Sequence, residues 1–253
     1  MESILIIIPT KNSTKYLVKL VNSLLDQTDT NWRAIFVDFH SATIHMKYLK
    51  KICEKDGRFS IENQISNSGI YGAQNLGFKL CKDNEWLLFW GSDDYAFNNK
   101  VISNIREIIR KNKSHDLIIF KGRYVELKSG KEKSKYHFSK ITNKDLKKNE
   151  YKKLLFLGFR QSHQGTLINP RINLKNLIYE EKYTLAADLN FFLASANIKN
   201  IKSKMVNLNI VEIGIGGTSR KHHILRFKEV INIYWKYFKL FFFIPFILRY
   251  KKW

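Results

Sequence analysis

The sequence is poor in cysteine, in acidic residues and in long apolar runs, and each shortage excludes a class of protein. The two cysteines, Cys53 and Cys81, form neither a CxxC pair nor a metal-binding spacing. A disulfide framework is not indicated, and a reducing cytoplasm is the simpler setting. No stretch approaches the roughly 20 apolar residues of a membrane-spanning helix. The apolar start MESILIIIPT lacks a basic leader and a cleavage site, so we interpret it as a first strand.

The shortage of acid leaves a strong positive charge. Lys and Arg number 44 against 22 Asp and Glu, a formal net charge of +22. Such a balance favours nucleic acid, an anionic membrane surface or phosphorylated small molecules as partners, although many lysines also simply solvate a surface. A nucleic-acid-binding module would need a basic stripe with exposed aromatics. The lysines are dispersed and no such motif is present, so we expect no nucleic-acid partner.

Hydrophobic residues make up 44% of the 253-residue chain, enough for a sizeable core. Ser3–Thr10 is a continuous β-branched run, typical of a strand buried on both faces. Strands alternating with short helices predict a parallel α/β sheet, with no repeat and no linker. Further strands are predicted at WRAIFVDF, RFSIENQ, EWLLFW, DLIIFKGRYVEL and HQGTLINP. Helices are predicted at YLVKLVNSLLDQ, HMKYLKKICEK, GAQNLGFKLC, VISNIREIIRKN and YTLAADLNFFLASAN. A hairpin is predicted at SGKEKSKYHF.

The stretch EWLLFWGSDDYAF sets Asp93 and Asp94 side by side after an apolar strand. Two like charges about 4 Å apart repel by roughly 4 kcal/mol at an effective dielectric near 20. A turn in which each carboxylate accepts backbone hydrogen bonds is one explanation. Asp38 follows another apolar run, and ligands of open parallel sheets bind beyond the carboxyl ends of the strands. Acidic groups at two such ends favour a binding site.

Several segments in order resemble family-two glycosyltransferases of the GT-A fold, especially the branch of bacterial polysaccharide and O-antigen synthesis. The resemblance rests on IIIPTKN, IFVDFHS, SGIYGAQNLGF, GSDD, SHQGTLI and YTLAADLNFFL. It implies a Rossmann-like mixed α/β sheet flanked by helices, a nucleotide-sugar donor (UDP first), Mn²⁺ or Mg²⁺, and inversion at the anomeric carbon. It also implies a GT-A domain over residues 1–220, followed by a helical extension over 221–253.

The resemblance also implies site residues. Asp188 is the expected general base, because an attacking hydroxyl must lose a proton to a positioned carboxylate. Asp93 is the expected metal-facing carboxylate, with Asp94 beside it, and Asp38 would accept a hydrogen bond from the nucleotide base. The remaining residues expected around the donor are Pro9, Thr10, Asn12, Gly69, Asn75, Ser92, His163 and Gln164.

The sequence departs from the family pattern at four places. Gly91 stands where many relatives carry the first aspartate of the metal motif, and Gly72 stands where they often show another. DFHSAT lacks the usual Asp-Gly-Ser loop. Asn190 replaces a second acid in the Asp188 motif. Three of the assigned residues also have ordinary structural explanations: Asp38 as a turn residue, Asp188 as a helix-surface acid and His163 as a satisfied polar group. IGIGGTS is either a loop over the diphosphate or a turn.

The C-terminal stretch from His222 to Trp253 mixes aromatic residues with lysine and arginine at helical spacing. Such a segment suits a helix lying in a membrane interface, with core packing or a homodimer contact as the alternatives. We therefore expect a cytoplasmic transferase, peripheral on the inner face of the cell membrane, acting on a lipid-linked glycan or lipopolysaccharide precursor. The alternatives are a transferase for a protein or another glycan, and a catalytically inactive membrane scaffold.

Overall fold

A computed structural model describes residues 2–126, 140–215 and 222–251, the side chains of 173–175 excepted. Within these ranges lie nine strands: β1 (Ser3–Thr10), β2 (Trp32–Asp38), β3 (Phe59–Asn63), β4 (Glu85–Phe89), β5 (Tyr95–Ala96), β6 (Leu117–Val125), β7 (Lys144–Leu146), β8 (Thr166–Ile168) and β9 (Ser203–Gly214). The helices are α1 (Thr14–Leu25), α2 (Thr43–Lys55), α3 (Gly69–Leu80), α4 (Val101–Lys111), α5 (Lys148–Phe156), α6 (Ala187–Asn197), α7 (His223–Phe238) and α8 (Phe243–Lys251).

The strands form one mixed sheet in the order β3-β2-β1-β4-β8-β6-β9-β5, with β7 paired to β9. β1 pairs in parallel with both β2 and β4, and β2 pairs in parallel with β3. β8 lies antiparallel between β4 and β6. The parallel pairing predicted from alternation therefore holds for β1–β4 and again for β6 with β9. It is wrong for the short strands β5, β7 and β8, which run antiparallel to their neighbours, because a strand of two or three residues carries no signal of its direction. The mixed sheet implied by the resemblance is confirmed.

Alternate residues of the central strands face opposite helical layers, as strand geometry requires. Ile4, Ile6 and Ile8 join a core with α1, α2 and α4. Leu5 and Ile7 join a second core with α3, α5, α6 and α7. All five residues are completely buried. The unbroken apolar run of β1 therefore reflects its place at the centre of a three-layer structure.

The C-terminal segment forms two helices that are interrupted at Lys239, which has a φ of +48°. Val230, Ile233 and Tyr234 of α7 are buried in the core that also contains α6. No helix in the described ranges is long and apolar enough to cross a membrane. The division at residue 220, the hairpin within 129–138 and IGIGGTS beyond Ile215 fall outside the described residues and stay predictions.

α8 packs directly on the backbone of Gly158, which follows α5. Gly158 has a φ of +77°, and a Cβ there would lie 2.6 Å from the backbone nitrogen of Arg249. Only a residue without a side chain permits both the left-handed backbone and this approach. Gly158 is therefore a docking point for the last helix.

Replacing Gly158 with alanine should lower the free energy of unfolding by about 1–3 kcal/mol, through backbone strain and displacement of α8. Denaturant-induced unfolding measures this loss. Gly57→Ala is the matched control, since a Cβ at Gly57 meets no atom within 4 Å. Equal losses in the two variants would contradict this account of α8 packing.

Candidate active site

The carboxyl ends of β1, β2 and β4 meet at one edge of the sheet. Thr10 and Asp38 are register partners at the ends of β1 and β2. Asp93 and Asp94 follow β4, which pairs in parallel with the other side of β1. The prediction that the acidic groups share this edge is confirmed by the strand pairing.

Asp38 is a buried carboxylate with three hydrogen bonds. Thr10 Oγ1 donates to Oδ1 at 3.0 Å, and Ser41 donates from its Oγ to Oδ1 at 2.5 Å and from its backbone N–H to Oδ2 at 3.0 Å. The residue is 2% exposed. These donors fix the carboxylate before any nucleotide arrives. Sequence reasoning missed Ser41, although an aspartate followed closely by serine is a signal for a turn.

His45 is a second neighbour of Asp38 that sequence reasoning missed. Its Nε2 lies 3.5 Å from Asp38 Oδ1, and its Nδ1 lies 2.7 Å from Thr14 Oγ1. Burial lowers the pKa of His45, while the charge of Asp38 acts in the opposite direction. A chain of polar contacts thus joins the start of α1 to the end of β2.

The loop after β1 brings together further predicted donor-site residues. Asn12 adopts a φ of +51°, a conformation that asparagine tolerates better than most residues. Its backbone N–H donates to Ser41 Oγ at 2.9 Å, and its Oδ1 accepts from Ala42 N–H at 2.8 Å. Ser92 Oγ donates to the carbonyl oxygen of Pro9 at 2.8 Å. The loop is therefore tied to both neighbouring strand ends.

Asp94 is buried, whereas Asp93 is partly exposed. The N–H of Gly91 donates to Asp94 Oδ2 at 2.6 Å, and that of Gly214 donates to Oδ1 at 3.3 Å. Burial raises the pKa of Asp94 well above its usual range, and the charge of Asp93 raises it further. Burial also raises the pKa of Asp93. Within the described ranges, no lysine or arginine forms an ion pair with either carboxylate, a situation that a bound cation would relieve.

The structure accounts for glycine at position 91. A Cβ on Gly91 would lie 2.9 Å from Asp93 Oδ1 and 3.2 Å from Asp94 Oδ2. A side chain there would displace both carboxylates from their present positions. No group of three potential metal-binding side chains occurs in the described part of the chain. One or two carboxylates suit Mg²⁺ or Mn²⁺ when phosphate and water supply the remaining ligands.

Asp188 lies in the first turn of α6. Leu189 N–H donates to Oδ1 at 2.8 Å, and Tyr71 Oη lies 3.5 Å from the same oxygen. Burial, followed by the charge of Asp188, raises the pKa of Tyr71 well above its usual range, so the phenol stays protonated. Oδ2 receives no hydrogen bond from the described residues, which leaves this oxygen available to a ligand.

Tyr124 of β6 links the two acidic regions. Burial raises its pKa, Arg160 opposes that rise, and the charges of Asp188 and Asp94 add to it. Both carboxylates therefore lie within electrostatic reach of one phenol.

The predicted His163–Gln164 pair divides its contacts between the core and the site. His163 Nε2 lies 2.6 Å from Tyr179 Oη, and its ring stacks on Phe89 with centroids 5.4 Å apart. Burial lowers the pKa of His163 to about 4, so the ring is neutral near pH 7. The side chain of Gln164 interacts with Asp94 and lowers the pKa of that carboxyl, opposing the effect of burial. His163 thus anchors the segment from which Gln164 reaches the carboxylate pair.

The two remaining predicted residues lie on α3. Gly69 begins that helix with a φ of +63°. Asn75 Nδ2 donates to the carbonyl oxygen of Tyr179 at 3.0 Å, and its Oδ1 accepts from Tyr179 N–H at 2.9 Å. The amide of Asn75 therefore holds the chain beside His163. At Gly72, a Cβ would lie 2.2 Å from Ser68 Oγ, so the aspartate of relatives does not fit this arrangement.

Comparison with known proteins places this geometry in a family. Residues 5–163 match Glycosyl transferase family 2. An uncharacterized glycosyltransferase of Rickettsia bellii is 29% identical over 126 residues, covering 48% of this chain and 18% of that protein. The glycosyltransferase GlyG of Streptococcus pneumoniae is 28% identical over 118 residues, covering 47% of this chain and 38% of that protein. The chain thus matches only a minor part of these relatives.

Solved structures show the same fold at low identity. S. aureus TarS 1-349 in complex with UDP superposes with a TM-score of 0.67 at 20% identity, covering 92% of this chain and 64% of that one. The mannosyltransferase PcManGT of Pyrobaculum calidifontis, in complex with GDP-Man and Mn²⁺, superposes with a TM-score of 0.66 at 10% identity. The match covers 97% of this chain and 69% of that one. Since the family match extends over more than half of the residues, the chain belongs to Glycosyl transferase family 2, as its motifs indicate.

Proposed function

We propose that this protein is an inverting, metal-dependent transferase that moves a sugar from a nucleotide-sugar donor to a hydroxyl group of a lipid-linked oligosaccharide or lipopolysaccharide precursor. The observation that carries the proposal is a series of contacts between the two acidic regions. Asp188 Oδ1 lies 3.5 Å from Tyr71 Oη, and the Tyr71 ring stacks on Tyr179. Tyr179 Oη lies 2.6 Å from His163 Nε2, and the next residue, Gln164, interacts with Asp94. Inverting transfer needs these two functions in one site: a holder for the cation of a diphosphate and a base for the acceptor.

The donor is expected to be a UDP-hexose or a UDP-N-acetylhexosamine. Fold neighbours include TarS in complex with UDP and with UDP-GlcNAc, which supports a uridine nucleotide, whereas PcManGT was solved with GDP-Man. In this chain, the rigid turn of Asp38 and Ser41 would face the base. Asn12 and Ser92, tied to the same turn and to β1, would line the nucleotide.

Mn²⁺ or Mg²⁺ would be held by Asp93, with Asp94 beside it. When bound, such a cation stabilises the negative charge that develops on the departing diphosphate. The residues fit this role, because the two carboxylates stand side by side and Asp94 interacts, among the described residues, with backbone N–H groups and the side chain of Gln164 rather than with a cationic side chain. Gln164 would keep Asp94 in place while Asp93, the more exposed of the two, faces the ligand.

Asp188 would accept the proton of the acceptor hydroxyl as that oxygen attacks the anomeric carbon. Oδ1 is held by the N–H of Leu189, which leaves Oδ2 for the hydroxyl. Attack from the face opposite the leaving diphosphate inverts the anomeric configuration. The protonated phenol of Tyr71 supports the carboxylate without competing for the proton.

Asp93→Asn should lower kcat for release of UDP from a UDP-sugar by about 100-fold or more and remove its dependence on Mn²⁺. In the absence of metal, the Asp93→Asn variant should melt at the same temperature as the wild type or above it, because the substitution removes a like charge beside Asp94. Steady-state kinetics and thermal unfolding measure the two effects.

The matched control is Asp83→Asn, which removes an exposed aspartate at the opposite end of β4. It should leave both kinetics and melting unchanged. Wild-type turnover that is independent of divalent cations would contradict the metal role. Absence of binding and turnover across a panel of UDP-, GDP- and dTDP-sugars would favour the inactive scaffold.

The membrane contact is proposed from the exposed side chains of the C-terminal helices. Leu240 is 74% exposed, Phe241 62% and Phe243 48%. Basic residues flank them, at Lys239 in the break and at Lys251 in the last turn of α8. Apolar side chains beside cations suit an anionic lipid surface, where burial and charge attraction act together. We therefore place the protein at the inner face of the cell membrane.

Replacing both Leu240 and Phe241 with aspartate should abolish co-sedimentation with vesicles containing phosphatidylglycerol, while neutral phosphatidylcholine vesicles bind the wild type weakly. Point substitutions are preferable to truncation, since α7 contributes buried core residues. Ile44→Asp is the control, because Ile44 is 79% exposed and lies on α2. Unchanged sedimentation of the double variant would overturn the proposal, and loss of a dimer instead would assign this surface to self-association.

A further inference from the structure

Glu229 of α7 reaches the segment that leads into α6. Its Oε1 accepts from the backbone N–H of Thr184 at 2.8 Å and from the Thr184 hydroxyl at 3.0 Å. Its Oε2 accepts from the N–H groups of Leu185 and Ala186, both at 2.9 Å. Glu229 is 6% exposed. One buried carboxylate thus binds three successive N–H groups of another segment.

These contacts matter because α6 lacks a cap of its own. Ala186 occupies the N-cap position and offers no side-chain acceptor. Buried N–H groups without acceptors are costly, and a negative charge at a helix N-terminus is stabilising. Asp188 follows two residues after Ala186, so the carboxylate of Glu229 fixes the point from which Asp188 projects.

A second contact from α7 lies on the other side of Asp188. Asn190 Oδ1 accepts from Tyr237 Oη at 3.1 Å and lies 3.3 Å from Lys236 Nζ. α7 therefore holds α6 both before and after Asp188. Position 190, where relatives carry an acid, serves in this chain as an attachment point for α7.

We propose that Glu229 is a positioning residue for sugar transfer, which holds Thr184–Ala186 so that Asp188 Oδ2 points at the acceptor hydroxyl. The inference rests on the proposed role of Asp188 as the base. The charge of Glu229 also acts on Tyr71, the phenol beside Asp188, which supports their closeness. Through this contact the C-terminal segment becomes part of the catalytic apparatus.

The test replaces Glu229 with glutamine, which keeps the size of the side chain but puts an amide NH₂ against N–H donors. The measured reaction is release of UDP from UDP-N-acetylglucosamine or another accepted UDP-sugar in the presence of Mn²⁺. We expect kcat to fall about tenfold or more, because small displacements of catalytic groups are costly. KM for the donor should stay within about twofold, since Glu229 contacts neither Asp38 nor Asp93.

Glu85→Gln is the matched control for stability. Glu85 is 4% exposed and accepts from Arg33 Nε at 2.7 Å and from Lys82 N–H at 2.8 Å. It begins β4, at the edge of the sheet opposite the site. The Glu85→Gln substitution should lower the melting temperature while leaving kcat unchanged. A comparable fall of kcat in both variants would show a purely structural effect and overturn the proposal.

Two further measurements separate this inference from the proposed function. In an Asp188→Asn background, Glu229→Gln should change kcat little further, because both changes act on one group; a full additional loss would overturn the positioning role. Hydrogen exchange at Leu185 and Ala186 should be faster in Glu229→Gln than in Glu85→Gln, even if every donor proves inactive. Unchanged exchange would remove the physical basis of the inference, whereas absent turnover with faster exchange would refute only the proposed reaction.

Discussion

The site depends on keeping like charges together at the edge of a sheet where none of the described lysines and arginines is hydrogen-bonded to Asp38 or Asp94. Hydrogen bonds from backbone N–H groups stabilise these carboxylates: Gly91 and Gly214 donate to Asp94, and Ser41 donates to Asp38. Fixed donors of this kind hold an anion without neutralising it. A carboxylate so held keeps its affinity for a cation, whereas a salt bridge would have satisfied it. Glycine at position 91 follows from the same constraint, since a side chain would occupy the place of the carboxylates.

The centre of the fold was predictable from the sequence because its signals are local. The apolar sequence of β1 predicts a strand buried on both faces, and its alternate residues do face two different cores. The parallel pairing of β1 with β2 and β4 then places Asp38 and Asp93 at one edge. In contrast, β9 was not anticipated. Its burial alternates only at its start and ends in four consecutive buried residues, Ile210–Ile213, so no single period marks the strand. Its pairing with β6 joins residues nearly ninety positions apart in the sequence.

The contacts that complete the site were even harder to predict from the sequence. The helix predicted over YTLAADLNFFLASAN includes Leu185, but α6 begins only at Ala187. The reason is that Glu229, far along the chain, accepts hydrogen bonds from the backbone preceding the helix. Nothing in the motif around Asp188 signals a partner in the C-terminal segment. Motifs of this kind identify the reacting groups, whereas the residues that orient those groups emerge only from tertiary structure.

α7 has two faces with different partners, and this arrangement bears on how an acceptor would enter. One face carries Glu229 and Ile233, which are buried against the helix of Asp188 and its core. The other face carries Ile224 and Trp235, exposed by 71% and 46%. A lipid surface that bound the outer face would lie one helix away from the base. Under the proposed function, an acceptor anchored in that surface would have to extend its hydroxyl past α7 to reach Asp188.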